Sequence, residues 1–375
     1  MKRRISIGVT TALVLSLCLA WVALAASDLT DDTVAQFAGG DLADTDCTVA
    51  PSAGDAGVDG ELILTPAFLD SFSGSGLSGS WDTATYGTPD TLTVSGDVLT
   101  IDNRYVGTNV LYSAPRVLEF VATFGGARQH IGLGTELSLD GSGDWALCST
   151  GGTGDQLYAR TFNDTETSEG LGNYLNAPHR YRIEWTTTQV TYFIDGTQVA
   201  QHTFPTISQS MAIVVSDAAA GTSLVIDWAR IGGYPADPAT CVFTSRVLQA
   251  STTNIDWTVL NTTTVIPTGT SLAFETRSGN TAVPDGTWST WAVVTGGAIS
   301  SPNSEYIQYR VTLTTTDAAY TPEVRRVVTT GVTPTAVTLT HLSAQANGLS
   351  SVSLLLAAGV IGLGVIGAAL RRRRR

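Results

Sequence analysis

Five side chains in the middle of this 375-residue chain have the chemistry of sugar contact: Gln129, His130, Trp145, Tyr158 and Arg160. A pyranose presents a flat apolar face that an aromatic ring can cover, and a rim of hydroxyls that Gln or Arg side chains can fix. The competing reading is structural. Trp145, like Trp185 and Trp228, is of the kind that fills a sandwich core, and Arg160 would then be an ion-paired support. His130 has no second histidine close in sequence, which disfavours metal binding or acid–base work. The sequence holds no Ser-His-Asp or Cys-His arrangement, no metal-ligand cluster and no phosphate-cradling glycine loop.

The elements that must position these residues read as strands. In "HRYRIEWTTTQVTYFIDG" (179–196), Tyr181, Ile183 and Trp185 alternate with polar residues, then Val190, Tyr192 and Ile194 do the same, and Asp195-Gly196 turns the chain. Alternation at period two closed by Asp-Gly is a strong hairpin signal. From residue 26 to 236 the chain is short apolar runs split by Gly, Asp, Asn, Ser and Thr, which predicts one large two-sheet sandwich. "YPADPAT" (234–240) marks a boundary, and 241–331 reads as a smaller β-sandwich containing "YIQYRVTLTTT" and "EVRRVVTTG". Residues 332–351 are Thr- and Ser-rich and nearly uncharged, as a stalk would be.

Both ends point to export. Residues 1–25 have a basic start, an apolar run and a small-residue cleavage site, the pattern of a secretory signal peptide. Residues 352–370 are apolar and uncharged and are followed by five arginines at 371–375. Nineteen residues at ~1.5 Å each reach ~28 Å, enough to cross a bilayer, and the arginines would stay on the cytoplasmic side. The expected protein is therefore secreted and anchored to the cell envelope, with its bulk outside. Of 20 Lys and Arg, eight lie in these two ends, leaving 12 basic against 33 acidic residues, a formal charge of −21. Such a surface repels phosphate backbones and excludes nucleic acid as a partner. Beyond the signal peptide three cysteines remain. Cys47 and Cys241 bracket a predicted domain and are the expected pair, the alternative being no disulfide; Cys148 reads as a small buried hydrophobe.

The first domain resembles the concanavalin A-like lectin/glucanase jelly roll, which also includes laminin-G modules. The segments that carry the likeness are "FLDSFSGSGLSGSW" (68–81), "RVLEFVATF" (116–124), "HRYRIEWTTTQVTYFIDG" (179–196) and "SLVIDWARIGGY" (223–234). The resemblance implies a concave sheet face bearing the five contact residues above. It also implies that an enzyme of this group would carry Glu-x-Asp-x-(x)-Glu on the strand that here reads "DWALCSTGG", which has no glutamate. The nearest substitute is Glu136 and Asp140, whose i, i+4 spacing would have to bring two carboxyls within about 5.5 Å for retaining chemistry. The resemblance further implies a structural calcium, with Asp227 on the closing strand and Asp70 on the opening stretch as ligands. The layout of the tail is similar to prokaryotic C-terminal sorting signals.

These readings converge on an all-β protein, a jelly roll followed by a small sandwich. The expected function is a surface-anchored, non-catalytic lectin-like binding or adhesion protein that contacts glycans, matrix or a surface protein. The alternatives are a secreted glycoside hydrolase or polysaccharide lyase of the β-glucanase type, and a purely structural envelope component.

Overall fold

The computed structural model describes residues 26–52, 59–137, 143–204, 206–234 and 239–334. The expected signal peptide (1–25), the expected stalk from 335 on, the expected membrane span (352–370) and the arginines 371–375 lie outside them. Among the described residues no helix is long and apolar enough to cross a membrane.

The chain is all-β, and alternation builds its first sandwich. In the strand His179–Trp185 the residues Tyr181, Ile183 and Trp185 are buried while their neighbours are half-exposed. Gln189–Ile194 buries Val190, Tyr192 and Ile194 in the same rhythm. The two pair from Tyr181 opposite Ile194 to Trp185 opposite Val190, so both apolar sets face one core. Asp195 and Gly196 have φ of 49° and 80°. Paired positive values are what a tight primed hairpin turn demands, and they send the chain into Thr197–Thr203.

Two sheets make this jelly roll. One runs Thr165–Gly172, Leu157–Asn163, Trp145–Ser149, Gln129–Gly134, Ala212–Asp217, Arg104–Thr108, Trp81–Thr85. The other runs Thr197–Thr203, Gln189–Ile194, His179–Trp185, Arg116–Thr123, Leu224–Ile231, Val98–Asp102, Thr91–Ser95, with Phe68–Asp70 also on Leu224–Ile231. Between them lies one apolar core that includes Leu118, Phe120, Ile131, Leu133, Tyr192 and Val215.

The second sandwich is built from both ends of the described chain. Ala26–Asp31 and Gly60–Leu64 pair with Glu323–Val332, whose other edge holds Asp256–Val265. Cys47–Pro51 closes that sheet beside Gly60–Leu64. The facing sheet centres on Tyr306–Thr315, flanked by Ala239–Thr244 and Thr270–Gly279. The boundary expected at 26 is thus displaced: jelly-roll strands run from Phe68 to Ile231, and 26–64 joins the smaller sandwich. Strand pattern shows which face of a segment is apolar but not which distant sheet will cover it. A disulfide joins Cys47 to Cys241, with Cα atoms 5.3 Å apart, and links the two sheets of this second unit.

Charged side chains fill the contact between the sandwiches. Arg230 is 1% exposed and Glu61 is fully buried, with Glu119 and Glu323 nearly so. Arg180 donates to Glu61, Glu119 and Glu323, each at 3.0 Å. Arg230 donates to Glu61 and Glu119 and, at 2.9 Å, to Glu323. Arg325 adds a 2.6 Å bond to Glu323 from the rim. Both inner guanidiniums lie over the Trp228 ring, at 5.2 and 5.3 Å. Burial pushes all three carboxyl pKa values up, but Arg180 and Arg230 overcome it at Glu119 and Glu61, which end below the usual range. Glu323 stays raised, because burial and the charge of Glu61 beside it outweigh the same cations.

Candidate functional site

One face of the first sheet looks away from both cores, and its side chains fall into transverse rows set by the register. Tyr105 pairs with Ser216, Ser216 with His130, His130 with Ser149 and Ser149 with Tyr158. Five adjacent strands at ~4.8 Å spacing make that row ~19 Å long, room for a short oligosaccharide laid across the strands. Tyr86 extends it: its ring lies 4.8 Å from that of Tyr105 and its hydroxyl bonds Ser216 Oγ at 2.9 Å. The next row is Asp82, Gly107, Val214, Gly132, Leu147, Arg160 and Ser168. The third is Ala212, Gly134, Trp145, Phe162 and Glu166.

Half of this face is already covered. Trp145, Leu147, Ala212 and Val214 form a small apolar cluster with Leu137 and Phe162. Leu137 lies so close over Gly107 that a Cβ there would meet its Cδ2 at 1.9 Å, which is why that strand position carries no side chain. What stays open is a depression of about 280 Å³ lined by Arg128, His130, Trp145, Leu147, Gly151, Gly152 and Arg160.

Three of the five expected contact residues, His130, Trp145 and Arg160, therefore meet at one depression, and Tyr158 flanks it, its ring against Gly151. Gln129 does not join them. It is fully buried, accepting from the Gly125 and Gly126 amides and donating to Asp217 Oδ2 at 2.9 Å and to the Thr222 carbonyl. Alternation alone puts it opposite to His130, and its amide instead pins the loop at 125–126 to the strand Ala212–Asp217. Trp145 is only 7% exposed. Phe162 stacks on it at 5.6 Å and the Arg160 guanidinium lies 5.2 Å from its centre, so its ring supports the face more than it presents itself. Arg160 is held by Glu166, Nε to Oε1 at 2.8 Å, and by Ser149 Oγ at 3.2 Å. Tyr158 accepts from Gln156 at 2.9 Å.

Burial, then the charges of Arg160 and Arg128, push the His130 pKa down to about 3. The unfolded chain would protonate this ring near 6.5, so His130 costs stability progressively as pH falls below that value. Its ring resonances are expected to stay unshifted between about pH 8 and 5. A titration midpoint near 6.5 in a carbon–proton spectrum of the labelled imidazole would show a hydrated ring instead.

The expected carboxylates fare differently. The strand Trp145–Ser149 turns Trp145, Leu147 and Ser149 to the open face, so none of its outward positions is an acid. Glu136 is exposed in the turn after Gln129–Gly134, and Asp140 lies outside the described residues. Asp82 and Glu166 do share the open face but stand on its two edge strands, six spacings or ~29 Å apart, beyond any displacement geometry. For calcium, Asp70 spends both oxygens at home. Oδ1 accepts from the Phe72 amide at 2.7 Å, and Oδ2 accepts from Trp81 Nε1 at 2.8 Å and Ser78 at 3.1 Å. Asp227 is a buried residue at the bulge between Ile226 and Trp228. Among the described residues no group of three or more His, Cys, Asp or Glu could hold a metal.

Sequence reading missed Tyr86, Tyr105, Arg128, Ser216 and Glu166. Alternation in "WDTATYG" and "RYVGT" hints at the two tyrosines, but only cross-strand register brings them into line with His130.

No protein-family model matches the sequence, and no curated protein matches it. Solved structures do. An endo-β-1,3-glucanase from Pyrococcus furiosus is 14% identical, with 46% of this chain and 94% of that one covered and a TM-score of 0.36. The β-glucanase of Bacillus licheniformis is 13% identical, over 44% of this chain and 98% of that one, at 0.34. A pseudo β-1,3-glucanase of Mycobacterium tuberculosis is 12% identical over the same shares, also at 0.34. At such identities the likeness is one of fold. It runs against two expectations, a non-catalytic lectin-like function and the absence of an enzyme, because the solved structures similar to this chain include glycoside hydrolases. The jelly roll of this chain is similar in fold to the β-glucanase group.

Proposed function

We propose that the protein acts on glycans outside the cell, holding a chain across the strands on the open face of its jelly roll. The observation that supports this reading is the transverse row from Tyr105 to Tyr158, with rings near both ends and a polar depression beside His130. Partly exposed tyrosines offer flat apolar surface, and Ser216, His130 and Arg160 offer groups for hydroxyls. For cleavage this reading enlists Glu166, which stands beside Phe162 with Arg160 on its carboxylate, and Glu136 in the turn after Gln129–Gly134, three strands from it in the sheet. The disulfide fits an oxidising compartment, in keeping with export.

Affinity electrophoresis through gels containing β-1,3-glucan, mixed-linkage glucan or agar tests the binding step. Retardation by at least one polymer is expected, weakened about tenfold in Tyr105→Ala and Tyr158→Ala, as loss of ~1–1.5 kcal/mol of ring contact implies. A reducing-end assay on the same polymers reads cleavage. Product formation that persists in Glu166→Gln and Glu136→Gln would remove both carboxylates from the reaction, and migration unaffected by every polymer would end the glycan reading.

A further inference from the structure

The depression beside His130 is cationic in a chain whose exterior is strongly acidic. Arg128 and Arg160 both line it, and no lining residue carries a carboxylate. Arg160 uses Nε and Nη1 on Glu166 and Ser149, which leaves Nη2 without a partner among the described residues. Arg128 is exposed at the rim and forms no ion pair among the described residues. Its backbone has φ of 56°, a conformation that costs energy for a long side chain. The turn keeps it there through its amide, which donates to the Gly151 carbonyl at 2.6 Å.

Two further polar atoms at the same place are unspent. Trp145 Nε1 and His130 Nδ1 are buried and have no hydrogen-bond partner. Trp145 Nε1 can only donate, and an unpaired buried donor beside two guanidiniums describes a site that lacks its acceptor. A carboxylate or a sulfate ester supplies what is missing, several acceptor oxygens with negative charge, and arginine is the side chain best shaped to receive them.

We propose that this depression takes an acidic sugar, its anionic oxygens meeting Arg128 and Arg160 while the chain continues along the tyrosine row. The assignment rests on the glycan reading above and narrows it to acidic glycans. The formal −21 of the exterior opposes a polyanion at long range, but at ~0.15 M salt the screening length is ~8 Å, so the two adjacent arginines decide the local balance.

Titration calorimetry of the full exported chain at that salt concentration tests it with three tetrasaccharides: an oligouronate, a sulfated galactan fragment and a neutral β-1,3-glucan fragment. At least one acidic tetrasaccharide is expected to bind tenfold or more tightly than the neutral one, and the uronate and sulfate arms tell the two anions apart. Arg128→Asn suits the positive φ and removes the guanidinium. It should cut affinity for the preferred acid at least tenfold more than affinity for the neutral sugar. Equal binding of acidic and neutral sugars, or an unchanged preference in Arg128→Asn, overturns the acid assignment and leaves the glycan reading standing. Absence of heat with all three, together with unretarded migration in the polymer gels, takes the glycan reading down with it.

Discussion

Arg230→Met is expected to destabilise the protein by about 3–5 kcal/mol, the usual cost of deleting one partner from a buried ion cluster. Arg230 reaches Glu61, Glu119 and Glu323 at once, and Met fills much of its volume without its charge. Arg180 and Arg325 would remain to face three carboxylates, two of them on strands of the smaller sandwich and one on the jelly roll. The damage should therefore fall on the contact between the two units. Urea unfolding followed by tryptophan fluorescence reads it. The deficit should shrink toward acid pH, since Glu323 already binds its proton more readily than a free glutamate and orphaned neighbours would follow. A loss under ~1 kcal/mol would mean that the cluster is hydrated and contributes as a surface pair does.

Removing the Cys47–Cys241 link should cost about 2–5 kcal/mol, near the upper end because the bridge joins cysteines 194 positions apart in sequence. That loop contains the whole jelly roll, so the bond constrains the unfolded chain more than a local staple would. In Cys47→Ser with Cys241→Ser, limited proteolysis should start between residues 26 and 64, the part whose sheet the bond ties to Ala239–Thr244. Cys148 supplies an internal control. Burial pushes its thiol far above the ordinary range, so it should stay silent to a thiol reagent until the protein unfolds. Cleavage that begins inside the jelly roll would place the weak point elsewhere.

Local information in the sequence went a long way toward the fold. The hairpin at 179–196 and its turn are written in alternation and in Asp-Gly, while "LEFVA" and "MAIVVSD" are short apolar runs that read as strands buried on both faces. The allegiance of 26–64 was not legible, because those strands pair with Glu323–Val332 across almost the entire chain. Nor was the ion cluster, since Glu61, Glu119, Arg180, Arg230 and Glu323 have no shared motif and meet only through packing. At the site, residue type pointed correctly to His130, Trp145, Tyr158 and Arg160 as neighbours, but it could not reveal that Leu137 and Phe162 would cover much of the tryptophan. Gln129 was misplaced although its parity with His130 already argued against it. Arg128 escaped notice because its position depends on one left-handed turn residue rather than on any pattern.

The pairing of Asp31 with Val327 also sets an order of assembly. At ~5–20 residues per second, a growing chain needs roughly 15–60 s to lengthen from one to the other. Throughout that interval Ala26–Asp31 has no strand to join, and its bare edge invites association with neighbouring chains. The jelly roll, whose contacts all arise in between, can be complete before its companion has begun. Nascent chains must therefore carry a finished domain and an unfinished one side by side, which makes shelter of residues 26–64 the vulnerable point in the biogenesis of this protein.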